Sequence, residues 1–385
     1  MKLLIHDLPA DRWEQISSQY EGWQIISDNG NIRPCIGCFS CWVKTPGECI
    51  FKDGYDHMAS LVNAAEEIRV ISRYTYGGFS SFVKNVFDRC ISYVMPFFDM
   101  VEGEMHHAKR YPEPREMSFV FYGHNLSEED EARAEKYVKA VCKNFRGSLK
   151  DVSFWESEEQ KVISEVDEAA EGLILLNCSM RGNRANSRHF LERMQRYLKD
   201  EPEIINASEY HKRNDELIRK LSRYETVVMA MPLYVDGLSS TTIRILEKLE
   251  TMRFNRPKKI YVLANLGFFE SVQVSNLMAM MHKWCEVSGN HYGGGIAVGA
   301  GEVVGMGINS LPVGFGPLKP AGTAIRKLAE AAKKKEDMED IYADSYAFLR
   351  PVYFRVANSN WIRTAKKNGL SEEDLYRQVP LSSDH

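Results

Sequence analysis

The sequence has little excess charge of either sign. Its 49 lysines and arginines stand against 53 aspartates and glutamates, a formal net charge of −4 over 385 residues. Without a basic surplus it is a poor candidate for sequence-independent nucleic-acid binding, which depends on neutralising phosphates. No apolar run approaches the roughly 20 residues that span a bilayer. The opening MKLLIHDLPADRW meets charge and proline too early for a secretory leader, so a soluble, cytoplasmic protein is expected. A dinucleotide fingerprint is also missing: the glycine-rich stretch 293–302 is followed by Val304 where a third glycine is needed. No Ser/His/Asp or Cys/His set can be assembled for nucleophilic catalysis. Lys333, Lys334 and Lys335 are followed by Glu336, Asp337, Glu339 and Asp340, and read as a solvated helix face.

What is present is an ordinary globular composition, 44% apolar and 26% charged, long enough for two or three domains. The eight cysteines are unevenly spread. Cys35, Cys38, Cys41 and Cys49 form one run, whereas Cys90, Cys142, Cys178 and Cys285 stand alone and read as small buried hydrophobes. In a reducing compartment such a run points to metal binding or redox work rather than a disulfide framework.

The chain repeats itself once. Displaced by 159 positions, residues 66–89 align with 225–248, Gly78 meeting Gly237 and Ser80-Ser81 meeting Ser239-Ser240. Each copy is an apolar run, a glycine-bearing loop and a helical pattern, the signature of two α/β domains. Strands are expected near 2–7, 23–27, 67–73, 117–123 and 150–155, with helices near 55–65, 80–95 and 127–144. The second half should hold strands near 172–177, 203–206, 225–231, 259–265 and 293–298. Its helices should lie near 186–199, 211–222, 240–251 and 273–288. This alternation predicts doubly wound parallel sheets covered on both faces. The domains are placed at 1–160 and 170–325, joined by the acidic stretch 156–171, with 326–385 as a helical C-terminal appendage.

Ligands of parallel sheets bind beyond the carboxyl ends of the strands. Three such loops stand out in the second half. Residues 177–187 (NCSMRGNRANS) open a helix with hydroxyls, amides and arginines, which suits a phosphate at a helix N-terminus or simply a polar turn. Residues 232–240 offer Pro232, Leu233, Tyr234 and Gly237, and residues 264–270 offer Asn265, Gly267 and two phenylalanines. Aliphatic and aromatic side chains beside glycine suit a planar ligand.

On these loops the chain resembles the flavodoxin-like NAD(P)H-dependent FMN reductases. Asn177-Cys178-Ser179-Met180-Arg181 followed by Asn186-Ser187 is similar to that family's phosphate loop, and 232–240 to its Pro-Leu-Tyr-x-x-Gly-x-x-Ser motif. The resemblance implies two tandem flavodoxin-like domains. It assigns the FMN phosphate to Ser179, Arg181, Asn186 and Ser187. It places the isoalloxazine ring against Pro232, Leu233, Tyr234, Val235, Asp236, Gly237, Asn265 and Gly267. Cys178, Met180 and Ala185 depart from the family's glycine, proline and serine.

The first half keeps the glycine loop 73–80 but not the phosphate loop. Its first strand runs into Asp7-Leu8-Pro9-Ala10-Asp11, whose carboxylates would repel phosphate, and its first helix should be short or absent. It should not hold FMN in the standard way. It carries instead Cys35, Cys38, Cys41 and Cys49 at C-x2-C-x2-C-x7-C spacing. Four thiols in one compact run fit a [4Fe–4S] cluster better than zinc, although a loop of free thiols packed by Trp42 and Pro46 fits as well. The run resembles that of the iron–sulfur flavoproteins. Asp53 and His57 nearby offer metal-ligand chemistry, but Asp53 reads first as a helix N-cap and His57 as a helix-surface residue.

The expected function is an FMN-dependent oxidoreductase passing electrons from NAD(P)H, with nicotinamide stacking on the flavin, to an unidentified acceptor. The alternative is a flavin or iron–sulfur electron carrier without its own small-molecule substrate. The resemblance implies a homo-oligomer, and since a cluster is useful only if electrons reach it, the cysteine run is expected near a flavin edge, within the chain or across a dimer. No nucleic-acid or membrane partner is expected.

Overall fold

The computed structural model describes every residue except 159–162, 167–169, 199, 212, 255 and 382–385. Seven residues of the expected linker, and Lys199 and Lys212 of two expected helices, therefore lie outside the described residues. The chain divides into two compact units, Met1–Glu159 with Phe354–His385, and Gln160–Tyr353.

The first unit runs β1 (Lys2–His6), α1 (Ala10–Ile16), β2 (Gln24–Ile26), α2 (Ser40–Val43), α3 (Met58–Ala64), β3 (Glu67–Arg73) and α4 (Ser81–Arg89). It continues with β4 (Val94–Val101), β5 (Glu104–Lys109), β6 (Glu116–Gly123), α5 (Glu128–Asn144) and β7 (Ser148–Glu156). Five strands pair in parallel in the order β2-β1-β3-β6-β7. Counting only sheet strands, this is the 2-1-3-4-5 order of flavodoxin-like sheets. Phe79 stacks among Phe87, Phe119, Phe121 and Tyr137 in its core.

The second unit runs β8 (Ser164–Val166), β9 (Leu173–Asn177), α6 (Asn186–Gln195), β10 (Ile204–Asn206), α7 (Asn214–Ser222), β11 (Thr226–Pro232) and α8 (Ser240–Glu250). It continues with β12 (Met252–Phe254), β13 (Lys259–Asn265), α9 (Ser275–Ser288), β14 (His291–Val298), α10 (Gly301–Gly307), α11 (Lys319–Lys334) and β15 (Ile341–Ala343). Its sheet has the order β10-β9-β11-β13-β14-β15, the same winding with a sixth strand, and all its pairs are parallel. Strands such as β11 (TVVMAMP) are buried along nearly their whole length, as both-face coverage requires. Two tandem flavodoxin-like domains are thus present.

Two expectations need correction. The helix placed at 80–95 ends at Arg89, and β4 and β5 follow as an antiparallel hairpin. Pro96 cannot continue a helix, and Glu102 and Gly103, both with positive φ, turn the hairpin. The boundary placed at 325 cuts through α11. That helix buries Ala321, Ala324, Ile325, Leu328, Ala329 and Ala332, an amphipathic stripe covering the second sheet. Only the last segment is appendage. It begins in α12 (Arg350–Lys367) and packs on the first unit from Phe354 onward. There Trp361 meets Phe39 and Trp42 edge-on, and Arg110 donates to the carbonyls of Leu375 and Arg377.

Among the described residues no helix is long and apolar enough to cross a membrane.

Candidate functional site

The repeat seen in the sequence holds at the level of single hydrogen bonds. Strands β3 and β11 begin and end at equivalent residues. After β3, Thr75 and Gly78 exchange N–H···O bonds of 2.9 and 3.0 Å across Tyr76 and Gly77. After β11, Tyr234 and Gly237 do so at 3.1 and 3.0 Å across Val235 and Asp236. All four intervening residues have positive φ. Valine and aspartate in this region are strained, and such strain gathers at functional loops. Ser80 and Ser239 then cap α4 and α8 identically, each Oγ accepting an N–H three residues on at 3.3 Å.

In the second unit this turn meets the phosphate-loop candidate. Pro232 pairs with Asn265 in the sheet register, and the Leu233 N–H donates to the Asn265 carbonyl at 2.8 Å. The Ser187 hydroxyl donates to Asn265 Oδ1 at 2.9 Å. Asn177 Oδ1 receives the Ser179 N–H, and its Nδ2 donates to the Gly182 carbonyl and to Asn206 Oδ1. Asn206 in turn holds Asn183 and Glu209. Helix α6 starts at Asn186 behind Ala185, and no side chain caps it. Its first-turn N–H groups lack intrahelical partners, an arrangement suited to an anion. Ser179, Ser187, Val235, Asp236, Gly237 and Asn265 are buried. Pro232, Leu233, Tyr234 and Asn186 are half-buried, whereas Arg181 and Gly267 are exposed. The expected FMN residues are therefore gathered at the carboxyl ends of β9, β11 and β13, and an uncapped helix with hydroxyl and amide neighbours fits a phosphomonoester. The Gly267 carbonyl is engaged by the Tyr353 hydroxyl.

Sequence reasoning placed Asn177 in the loop without giving it a role, and it missed Asn206, Glu302 and Tyr353 as site neighbours. Burial pushes the Glu302 carboxyl above the ordinary carboxylate range, with Arg181 pulling it back. Burial also pushes the Cys178 thiol up to about 12, which fits a packing role.

The equivalent corner of the first unit is filled. His6 takes the place of Asn177, its Nδ1 accepting the Leu8 N–H at 3.3 Å. His6 stacks on Trp13 at 4.3 Å, and burial lowers its pKa to about 4. Asp7 takes the place of Cys178, and its carboxylate accepts the Arg73 N–H at 3.0 Å. Tyr122 takes the place of Asn265 and donates to the Asp7 carbonyl at 2.9 Å. Leu8, Tyr20 and Tyr122 form one apolar cluster with Trp13 and Trp155. The short α1 agrees with expectation, and Asp11 lies exposed in its first turn.

The cysteine run lies between β2 and α3 and is pinned to α4. Asn85 Oδ1 accepts the Cys35 N–H at 3.0 Å, and its Nδ2 donates to the Arg33 carbonyl at 3.2 Å. Arg89 donates to the carbonyls of Arg33 and Phe51 and pairs with Asp53. Asp53 is thus an arginine partner rather than a helix cap, and His57 is buried rather than on the surface. Cys41 is buried, Cys35 and Cys49 half-buried, and Cys38 exposed. Burial, and then the Asp88 carboxylate, push Cys35 up to about 12; burial and the other three thiols push Cys41 up. Arg89 and Arg110 are the cations that act electrostatically on Cys49 and Cys41. The four thiols are close enough to act on one another. Yet among the described residues no three His, Cys, Asp or Glu side chains converge on a point that could hold a metal ion. The donors fit a cluster in number and chemistry. The sequence signal for Asn85, Asp88 and Arg89 was polar residues on one face of α4.

Strand order defines a tandem flavodoxin-like fold in which the corner is rimmed by an uncapped helix start in the second unit and filled by side chains in the first. No family model matches the chain, and no curated protein sequence matches it. Among solved structures it is similar to the Trp repressor binding protein from Bacillus subtilis. The match has 16% identity and a TM-score of 0.27, and covers 32% of this chain and 82% of that one.

Proposed function

We propose that the protein is an FMN-dependent oxidoreductase that takes electrons from NAD(P)H and delivers them to an acceptor. The observation that carries the reading is the corner where Ser179, Ser187 and Asn265 surround the uncapped start of α6. FMN, when bound, supplies the hydride and single-electron chemistry. Ser179, Arg181, Asn186 and Ser187 would hold its phosphate. The Pro232–Gly237 turn, Asn265 and Gly267 would border its ring, fixing its orientation and shielding it from water. No general base is required. The reading takes the cytoplasm as the compartment, in keeping with eight cysteines none of which forms a disulfide. It also takes a homo-oligomer as the working form. A [4Fe–4S] cluster on Cys35, Cys38, Cys41 and Cys49 is the optional second centre, tested by iron and sulfide analysis after anaerobic purification.

The decisive experiment is anaerobic reduction of the flavin-loaded protein. NADH or NADPH is expected to bleach its visible flavin absorption. No bleaching by either nucleotide, alongside rapid reduction by a ferredoxin-like protein, would replace the enzyme reading with the carrier.

A further inference from the structure

Helix α10 sits on the phosphate corner. A Cβ at Gly305 would lie 2.6 Å from Asn186 Oδ1, and one at Gly301 would lie 3.2 Å from Asn265 Nδ2. The two glycines therefore press α10 against two residues of the candidate site. At 100° per residue, Gly301, Gly305 and Glu302 share one face of the helix. Glu302 thus accompanies the face turned to the site, and its electrostatic partners are Arg181, beside α6, and Tyr353, from α12. The other charged groups on α6 that meet this segment engage its far end. Arg193 donates to the Ile308 carbonyl at 2.7 Å, and Glu192 accepts from Asn309. Glu270, which also acts on Tyr353, pairs with Arg350.

We propose that Glu302 makes occupancy of this corner proton-linked: a phosphomonoester dianion is taken up together with a proton on the Glu302 carboxylate. The inference rests on the FMN reading above. An ionised Glu302 would compete with the phosphate for Arg181 and repel it, whereas a protonated one does neither. Its burial raises the carboxyl in the same direction that a bound dianion would raise it further.

FMN titration of wild type and Glu302→Gln across about pH 6 to 8 tests this. The wild-type dissociation constant is expected to rise over that range by about tenfold more than that of the variant, one linked proton allowing at most about tenfold per pH unit. The second ionisation of FMN itself cancels between the two proteins. Parallel profiles would overturn the linkage while leaving FMN binding intact. Saturable binding by neither protein at any pH would overturn the FMN reading as well. Calorimetry of the wild type at about pH 8, where the FMN phosphate, with a second pKa of about 6, is already a dianion and releases no proton on binding, in two buffers of different ionisation enthalpy needs no variant. Net proton uptake on FMN binding is expected there, and net release would contradict the proposal.

Discussion

Two copies of one strand–loop–helix unit differ at two places, the corner at the end of the first strand and one face of the helix that follows the glycine loop. In the second unit the corner holds Asn177, Cys178 and Asn265; in the first it holds His6, Asp7 and Tyr122. Two backbone bonds are shared, Asp7 to Ile71 matching Cys178 to Ala230 and Tyr74 to Tyr122 matching Leu233 to Asn265, but the loop from the first strand to its helix is shorter in the first unit, residues 7–9 against 178–185. Imidazole replaces amide as acceptor, a carboxylate replaces a thiol, and a phenol fills the space of an amide. On the helices the change runs the other way. Helix α4 buries Lys84, Asn85, Asp88 and Arg89, whereas the matching residues of α8 are Ile243, Arg244, Glu247 and Lys248, and Lys248 is exposed. The first unit has filled that corner with side chains and carries polar groups on α4 that hold a cysteine loop. A repeat can thus keep its scaffold and exchange which surface carries chemistry.

The comparison is broken most severely at Arg89. Arg89→Met strips the buried partner of Asp53 and of two carbonyls, and is expected to cost about 3–5 kcal/mol. Lys248→Met, at the equivalent position with only a surface pair to Asp215, should cost under about 1 kcal/mol. Urea unfolding of both variants checks the contrast, and similar losses would mean that the two faces are not different in kind.

Exchanging the corner residues gives the next effect. Cys178→Asp copies the first unit, but Pro232 stands where Arg73 supplies the N–H that Asp7 accepts. The new carboxylate would be buried without that donor, at a cost of about 3 kcal/mol. Stability equal to wild type would show that the corner tolerates either residue.

The smallest effect concerns pH. Burial raises Asp7 above the usual carboxylate range against the bonds from Ser80 and Arg73. The folded state therefore holds this proton more tightly than the unfolded chain. Wild type should gain stability relative to Asp7→Asn as pH falls through the raised value toward the ordinary carboxylate range. Above that window the difference should be constant. A difference that shrinks on acidification would mean that Asp7 is stabilised as a charge.

Much of the fold was legible because the repeat and the strand–helix alternation are local patterns. The paired Gly78 and Gly237 and the capping Ser80 and Ser239 could be read directly, since turn and cap chemistry acts within four residues. The hairpin at 94–109 was hidden because its first strand continues an apolar helical pattern past Arg89, and only Pro96 and the Glu102-Gly103 turn mark it. Helix α11 was misjudged because alanines carry its buried stripe and lysines crowd its end. At the site, Ser179, Ser187 and Asn265 were found by resemblance. Glu302 was not, since its place beside Arg181 depends on two glycines fitting against asparagines more than 30 residues away in sequence. Nothing local announces such a contact.

The central claim is that one corner of this chain, and only one, holds a flavin phosphate. Flavin stoichiometry in Arg181→Ala/Ser187→Ala and in Asp7→Asn tests it directly, with refolding on FMN and counting of bound flavin per chain. The account predicts one flavin per chain in wild type and in Asp7→Asn, and at least tenfold weaker binding, about 1.4 kcal/mol, in the double variant. Full occupancy in the double variant, or two flavins per wild-type chain, would contradict it.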